Sequence, residues 1–178
     1  MKGVNILAKQ SMSTNKTENK EQTQEQKKVR KKLDENMLVS VASNVKGGLI
    51  YKSPRSGQVW KFTDFGDEDV MELSELRTML SSQRSFLEKG WLKVLDQEAV
   101  EYLNLARFQK NVVDLDDINH ILGQSPEQIK QAIKEANANT KSLIFGFARD
   151  KYLVGELRDV HVIKAIEEGL GQKLDPNN

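Results

Sequence analysis

The sequence predicts an α+β fold: a small antiparallel β-meander with one inserted helix, followed by a cluster of short C-terminal helices. Three observations predict it. Short runs rich in β-branched and aromatic residues, punctuated by Gly and Pro turns, are confined to the stretch between Met37 and Leu95. After Asp96 the pattern changes to helix starts, apolar residues at helical spacing and glycine stops. The two kinds of segment are segregated along the chain, which favours α+β over a parallel α/β sheet. The expected organisation is a basic polar arm over 1–33, a β-rich subdomain with one helix over 34–96, and a helical subdomain packed on it over 97–178.

The arm comes first. Between Lys9 and Lys32 there is no aromatic residue, and Lys, Gln, Glu, Asn, Thr and Ser dominate. Such a segment buries too little apolar surface to offset its ordering entropy, so it is expected to be disordered or extended in isolation. The folded part begins near Leu38, where "MLVSVAS" alternates as a strand does and Asn44 to Gly48 reads as a turn. "LIYKS" and "QVWKFTDF" are two further strands around Pro54-Arg55-Ser56-Gly57, where Pro fixes φ and Gly supplies φ > 0. "DVMEL" leads into a helix from about Ser74 to Ser82 with Leu73, Leu76, Met79 and Leu80 on one face, and "WLKVL" after Gly90 is a fifth strand.

The helices follow. Asp96 and Asp114 stand as N-caps before "QEAVEYLNL" and "LDDINHILG", and Gly123 stops the second. "SPEQIKQAIKEAN" has the clearest start, with Ser125 as N-cap, Pro126 at N1 and Gln128 at N3 of a capping box. Further helices are expected from about Thr140 to Val154, ended by Gly155, and from Asp159 to Glu168.

Composition excludes several chemistries. The 178 residues contain no cysteine, so disulfides, Cys-based zinc sites, iron–sulfur clusters and thiol nucleophiles are excluded together. Apolar residues make up 38%, charged residues 30%, and the mean hydropathy is −0.59, polar for a globular chain but not for a wholly disordered one. No apolar run approaches the ~20 residues of a membrane helix. Val4 to Ala8 is shorter than the ~7–15 residue core of a signal peptide, so a soluble chain made inside the cell is expected. The overall charge of +1 hides an asymmetry: residues 1–32 carry nine Lys/Arg and three Glu, a net of +6, on a remainder of net −5. A basic arm on an acidic body suits contact with nucleic acid or an acidic protein surface, although a solvated tail has the same composition.

The motifs with catalytic associations fail on context. Gly47-Gly48 feeds "LIY" rather than a helix N-terminus, so it lacks the geometry that cradles phosphate, and the segment reads as a hairpin. "DFG" at Asp64 to Gly66 has no kinase catalytic loop beside it. The acids at Asp64, Asp67, Glu68 and Asp69, and those at Asp114, Asp116 and Asp117, lack EF-hand spacing. His120 and His161 fall in separate helices, and no metal, cofactor or catalytic constellation is expected. "INHILGQSPEQIKQAI" has the helix–turn–helix pattern of a DNA reader, but its second helix opens with Glu127 and Gln128 and has only Lys130 and Lys134 as bases.

Several of these residues also carry a family resemblance. The order Gly47/Leu49/Tyr51, Gly57/Trp60, Phe65-Gly66-Asp67, Met71 to Leu76, Ser82/Arg84/Phe86 and Trp91 resembles a family of small proteins encoded by large tailed phages of Gram-positive bacteria. "VIKAIEEGLG" near the C-terminus is similar too, so the resemblance covers about Leu33 to Leu174. The chain departs from that pattern in its longer basic arm and in "ARFQKN", where the family is Tyr-rich. Members are described as virion structural or hypothetical proteins, and the resemblance implies a structural role in the phage particle.

The expectation is therefore a non-enzymatic adaptor, present in multiple copies in a symmetric assembly, without a cofactor or a membrane. Its partners would be other virion proteins of the capsid, neck, tail or baseplate, or packaged DNA contacted through the arm. Expected partner-binding residues are Lys27, Lys28, Arg30, Lys31 and Lys32 in the arm, with Lys52 and Arg55 on a basic hairpin tip. The alternative is a phage-encoded helix-turn-helix-like regulator of nucleic acid, reading through the Ser125 to Asn137 helix.

Overall fold

The structure is a computed structural model that describes residues 32–177, and these fall in one compact unit. Of the expected arm, only Lys32 and Leu33 lie within it. The fold is α+β, with five strands and eight helices among the described residues.

The strands are antiparallel throughout, but they divide into two small sheets instead of following one meander in chain order. In the first, β1 (Leu38–Ser43) is central, flanked by β4 (Glu68–Glu72) and β5 (Leu92–Val94), with Val39 opposite Met71 and Val41 opposite both Asp69 and Val94. The second is the hairpin of β2 (Leu49–Lys52) and β3 (Val59–Phe62), with Tyr51 opposite Trp60. Local bonding explains the division. Ser43 donates to Asp67 O (2.8 Å) and accepts from Gly66 N (2.9 Å), so β4 closes directly onto β1. On the far edge of β4, Val70 O is taken by the Trp60 indole N–H (2.9 Å) and Val70 N by Asp69 Oδ1 (2.7 Å). The hairpin is thereby attached through a side chain, and that edge offers no free ladder position at Val70.

The inner faces of both sheets share a first core with α1 (Leu73–Ser82), which contributes Leu73, Leu76 and Met79. Within it the aromatic series Trp60, Tyr51, Phe86, Trp91 runs at centroid separations of 5.6, 5.3 and 5.7 Å. The single-turn helix α2 (Ser85–Glu88) adds Leu87. Helix α3 (Gln97–Tyr102) adds Ala99 and Val100, and Leu105, just before the single-turn α4 (Ala106–Gln109), completes it. Asp96 has the extended backbone of an N-cap, but its carboxylate accepts from Ser40 N and ties α3 to β1.

A second core belongs to α5 (Leu115–Leu122), α6 (Pro126–Glu135), α7 (Ala138–Leu153) and α8 (Val160–Leu170). Their starts follow the sequence signals: capping boxes at Asp114/Asp117 and Ser125/Gln128, and Asn137 and Asp159 accepting from first-turn amides. Helices α6 and α8 approach closely because Gly169 leaves room for Ile133, whose Cδ1 lies 3.1 Å from where a Cβ would stand.

Two fasteners join the cores. Asn139 Nδ2, buried at the start of α7, donates to Asn44 O (2.8 Å) and Gly90 O (3.0 Å), while Asn44 Nδ2 also donates to Gly90 O (2.7 Å). Lys46 lays its stem against Gly146 and pairs with both Asp64 (3.1 Å) and Asp150 (3.0 Å). Its ammonium sits 5.0 Å from the Phe147 ring centroid, and Phe147 meets Phe65 edge-on at 5.3 Å. Asp150 first, and Asp64 as well, hold Lys46 charged above its usual range, against the opposing effect of burial.

Candidate functional site

The outer face of the β2–β3 hairpin joins exposed lysines with exposed aliphatic side chains. Strand alternation decides which side chains face out. Leu49, Tyr51, Trp60 and Phe62 point into the first core, and Ile50, Lys52, Val59 and Lys61 point out. In the register Ile50 stands opposite Lys61 and Lys52 opposite Val59, so each aliphatic faces a lysine. Ile50 is 63% exposed and Val59 43%, and neither lysine has an ion-pair partner among the described residues.

The tip is built by Ser53. Its backbone N–H donates to Gln58 O and its carbonyl accepts from Gly57 N, both at 2.9 Å. Its hydroxyl accepts from the amides of Arg55 (3.1 Å) and Ser56 (3.2 Å), and Gly57 supplies the left-handed residue at φ +74°.

Arg55 is exposed at this tip and also makes contacts within the chain. The guanidinium is folded back onto the start of α1, where Nη2 donates to Glu75 Oε1 and Ser74 Oγ, both at 2.8 Å, and to Glu72 at 3.3 Å. Glu75 is buried within α1, and a buried carboxylate requires a cation. Burial pushes the Glu75 carboxyl up, but the hydroxyls of Ser53 and Ser56 and the Arg55 guanidinium outweigh it, holding the group below the usual range. Beside it, burial and the Glu75 charge push the Tyr51 phenol up, and its hydroxyl has no partner of good geometry. Arg55 thus fastens the tip while its side chain stays 47% exposed, and Lys52 and Lys61 present their charge outward without such a partner among the described residues.

Lys32 is exposed, next to Leu33, which is buried in the first core and anchors the end of the arm. Lys27, Lys28, Arg30 and Lys31 lie outside the described residues. Several other charged groups fasten turns and helix ends. Amides of Gly47 and Phe65, then Lys46, hold Asp64 below its usual range, and the Thr63 hydroxyl and amide do the same for Asp67. Lys173 and Leu174 N lower Glu167, and Lys130 lowers Glu168. His120 and His161 are exposed, and no cluster of three metal-ligating side chains occurs among the described residues.

In the α5–α6 pair, Ile129 and Ile133 are buried and Lys130 pairs with Glu168 at 2.6 Å. Gln128 is engaged in the capping box, so the exposed first turn offers Glu127. A groove of about 410 Å³ lies beside Trp91, but Lys89 covers the ring at 4.8 Å and the Asn137 and Asn139 amides are engaged in the fold. A second groove of about 410 Å³ runs along α8 beside Val160 and Ile163.

Ile50, Val59 and Lys61 were not singled out by sequence reasoning. The signal is the alternation within "LIYK" and "VWKF": once Tyr51 and Trp60 are assigned inward, these residues and Lys52 must point out. No protein-family model matches the chain, and neither a curated protein nor a solved structure is significantly similar to it.

Proposed function

We propose that this chain is a non-enzymatic structural component of a tailed-bacteriophage virion, an adaptor working through protein–protein contacts. Its N-terminal arm threads onto neighbouring virion proteins while the folded body docks through fixed surfaces. The observation that carries this proposal is the outer face of the hairpin, where two aliphatics and two lysines without an ion-pair partner among the described residues are held outward on a hairpin anchored by Trp60, Tyr51 and Arg55. Exposed apolar residues on a fixed element suit a protein partner. The displaced carboxylates Asp64, Asp67, Glu75, Glu167 and Glu168 support the non-enzymatic part, since each serves an ion pair or a turn.

A nucleic-acid-reading role for α6 finds less support, because its exposed first turn is acidic and Lys130 is engaged by Glu168. Mass spectrometry of purified virions tests the proposal. The chain is expected among the structural proteins, and its absence from particles would overturn the assignment.

A further inference from the structure

We infer that copies of this chain dock head to tail, the outer face of the β2–β3 hairpin of one copy seating on the outer face of the β4-β1-β5 sheet of the next. The inference rests on the adaptor role proposed for the hairpin and names its partner.

The second surface follows from the sheet register. Val39, Val41, Met71, Leu92 and Val94 point inward, so Leu38, Ser40, Glu68, Val70, Glu72 and Lys93 point out. Leu38 is 63% exposed and Val70 47%, and Leu95 continues the same row beyond β5. The charge on this face is negative. Among the described residues Glu68 has no ion-pair partner, while Lys93, the one lysine on the face, is already held by Asp114. Glu72 shares the Arg55 guanidinium with Glu75, and the Asp96 carboxylate lies beside Ser40.

The two faces match in repeat as well as in sign. Along β4, Glu68, Val70 and Glu72 alternate acid, aliphatic, acid, and β2 and β3 each place one aliphatic two residues from one lysine. Both repeats have the same spacing of roughly 6.6 Å set by strand geometry. Hairpin on hairpin would bring four lysines together, and sheet on sheet would oppose two sets of acids. Hairpin on sheet is the pairing in which the aliphatics meet while the charges attract. Because the surfaces are different elements, each contact leaves one hairpin and one sheet free, so the association is heterologous and propagates to a ring or a filament.

Analytical ultracentrifugation of the full chain at low salt tests this. Wild type is expected to sediment above the 20.2 kDa monomer in a concentration-dependent way. The double variants K52E/K61E and E68K/V70K, both at exposed outward positions, should each be monomeric alone, with association weakened on the order of a hundredfold. Mixed one to one, they should associate at least as pairs, because the unaltered hairpin of E68K/V70K then meets the unaltered sheet of K52E/K61E. I50S/V59S, which keeps both lysines, is a second hairpin variant and should also be monomeric; far-UV circular dichroism confirms that each variant is folded. A monomeric wild type, either charge variant assembling alone as wild type does, or a mixture that stays monomeric would overturn the inference. Assembly through the arm would persist in K52E/K61E and so also count against it. A chain found in virions yet monomeric in solution would sink this docking and leave the adaptor role standing, whereas absence from virions would sink that role while the solution result stands by itself.

Discussion

Asn139 offers the sharpest test of how the two cores are held together. Its Nδ2 faces two carbonyls, Asn44 O and Gly90 O, and since both can only accept, the amide orientation is fixed by chemistry. Replacing it with Ala does not orphan both. Gly90 O keeps the 2.7 Å bond from Asn44 Nδ2, so one buried carbonyl, that of Asn44, loses its partner. An orphaned buried acceptor costs about 1–3 kcal/mol, and the lost side-chain packing brings the expected destabilisation of N139A to roughly 2–3 kcal/mol. N139D keeps the shape but sets a carboxylate oxygen against two carbonyl oxygens. Burial without a cation raises the folded-state pKa of the new acid above its unfolded value of about 3.9. The sign follows: below the unfolded pKa both states are protonated and the acid can donate in place of the amide, so the variant is nearest wild type. The deficit grows as pH rises from there to the folded pKa, and then levels off. Urea unfolding of wild type, N139A and N139D between pH 4 and 8 reads this directly. N139A should show a nearly constant gap and N139D a widening one. A constant gap for N139D, or a cost below about 0.5 kcal/mol for N139A, would refute the buried clamp.

Three further outcomes are expected. Arg55→Met should destabilise at pH 7 by a gap that closes as pH falls below the ordinary Glu75 value of 4.5, because a lowered folded-state pKa gives stability that is lost as the carboxylate protonates; thermal melts across pH 3–7 check it. Gly90→Ala should cost at least about 2 kcal/mol and clearly more than Gly47→Ala in denaturant titrations. Both glycines have positive φ, but only at Gly90 would the Cβ fall 2.5 Å from Asn111 O, whereas Gly47 has nothing within 4 Å. Ile133→Ala, at the close approach of α6 to Gly169, should cost about 2–5 kcal/mol with an unchanged m-value, read from urea midpoints.

Features specified by residues close in sequence were legible. The Ser125/Gln128 capping box, the Asp114 and Asp159 starts, the Gly155 stop and the Ser53–Gly57 tip are all decided within four or five positions. Helices α2 and α4 were not legible, because each is a single turn held by distant partners. Leu87 is buried in the first core, and Gln109 Nε2 donates to Val94 O at 2.9 Å. The division into two sheets was hidden for the same reason, since it turns on an indole N–H ten residues from its acceptor. Arg55 shows a half-legible case. Glu75 sits one turn before Met79 and so on the buried face of α1, which signals that a cation must reach it, but nothing local names a residue 20 positions earlier.

The fasteners also bear on how an adaptor of this kind would divide its work. Leu33 is anchored in the first core, while Asn139 and Lys46 tie that core to the second, so the body offers its hairpin and sheet faces already ordered. Contacts made by such faces lose little conformational entropy, and their strength depends on apolar fit with modest help from screened charges. Residues 1–32 carry a net +6 with almost no apolar periodicity, so a partner of that segment would be held chiefly through charge contacts. Salt weakens the second type much more steeply than the first, since screening acts on every lysine while leaving aliphatic burial intact. An assembly built by both should therefore keep body-to-body contacts at salt concentrations that strip the arms from their partners.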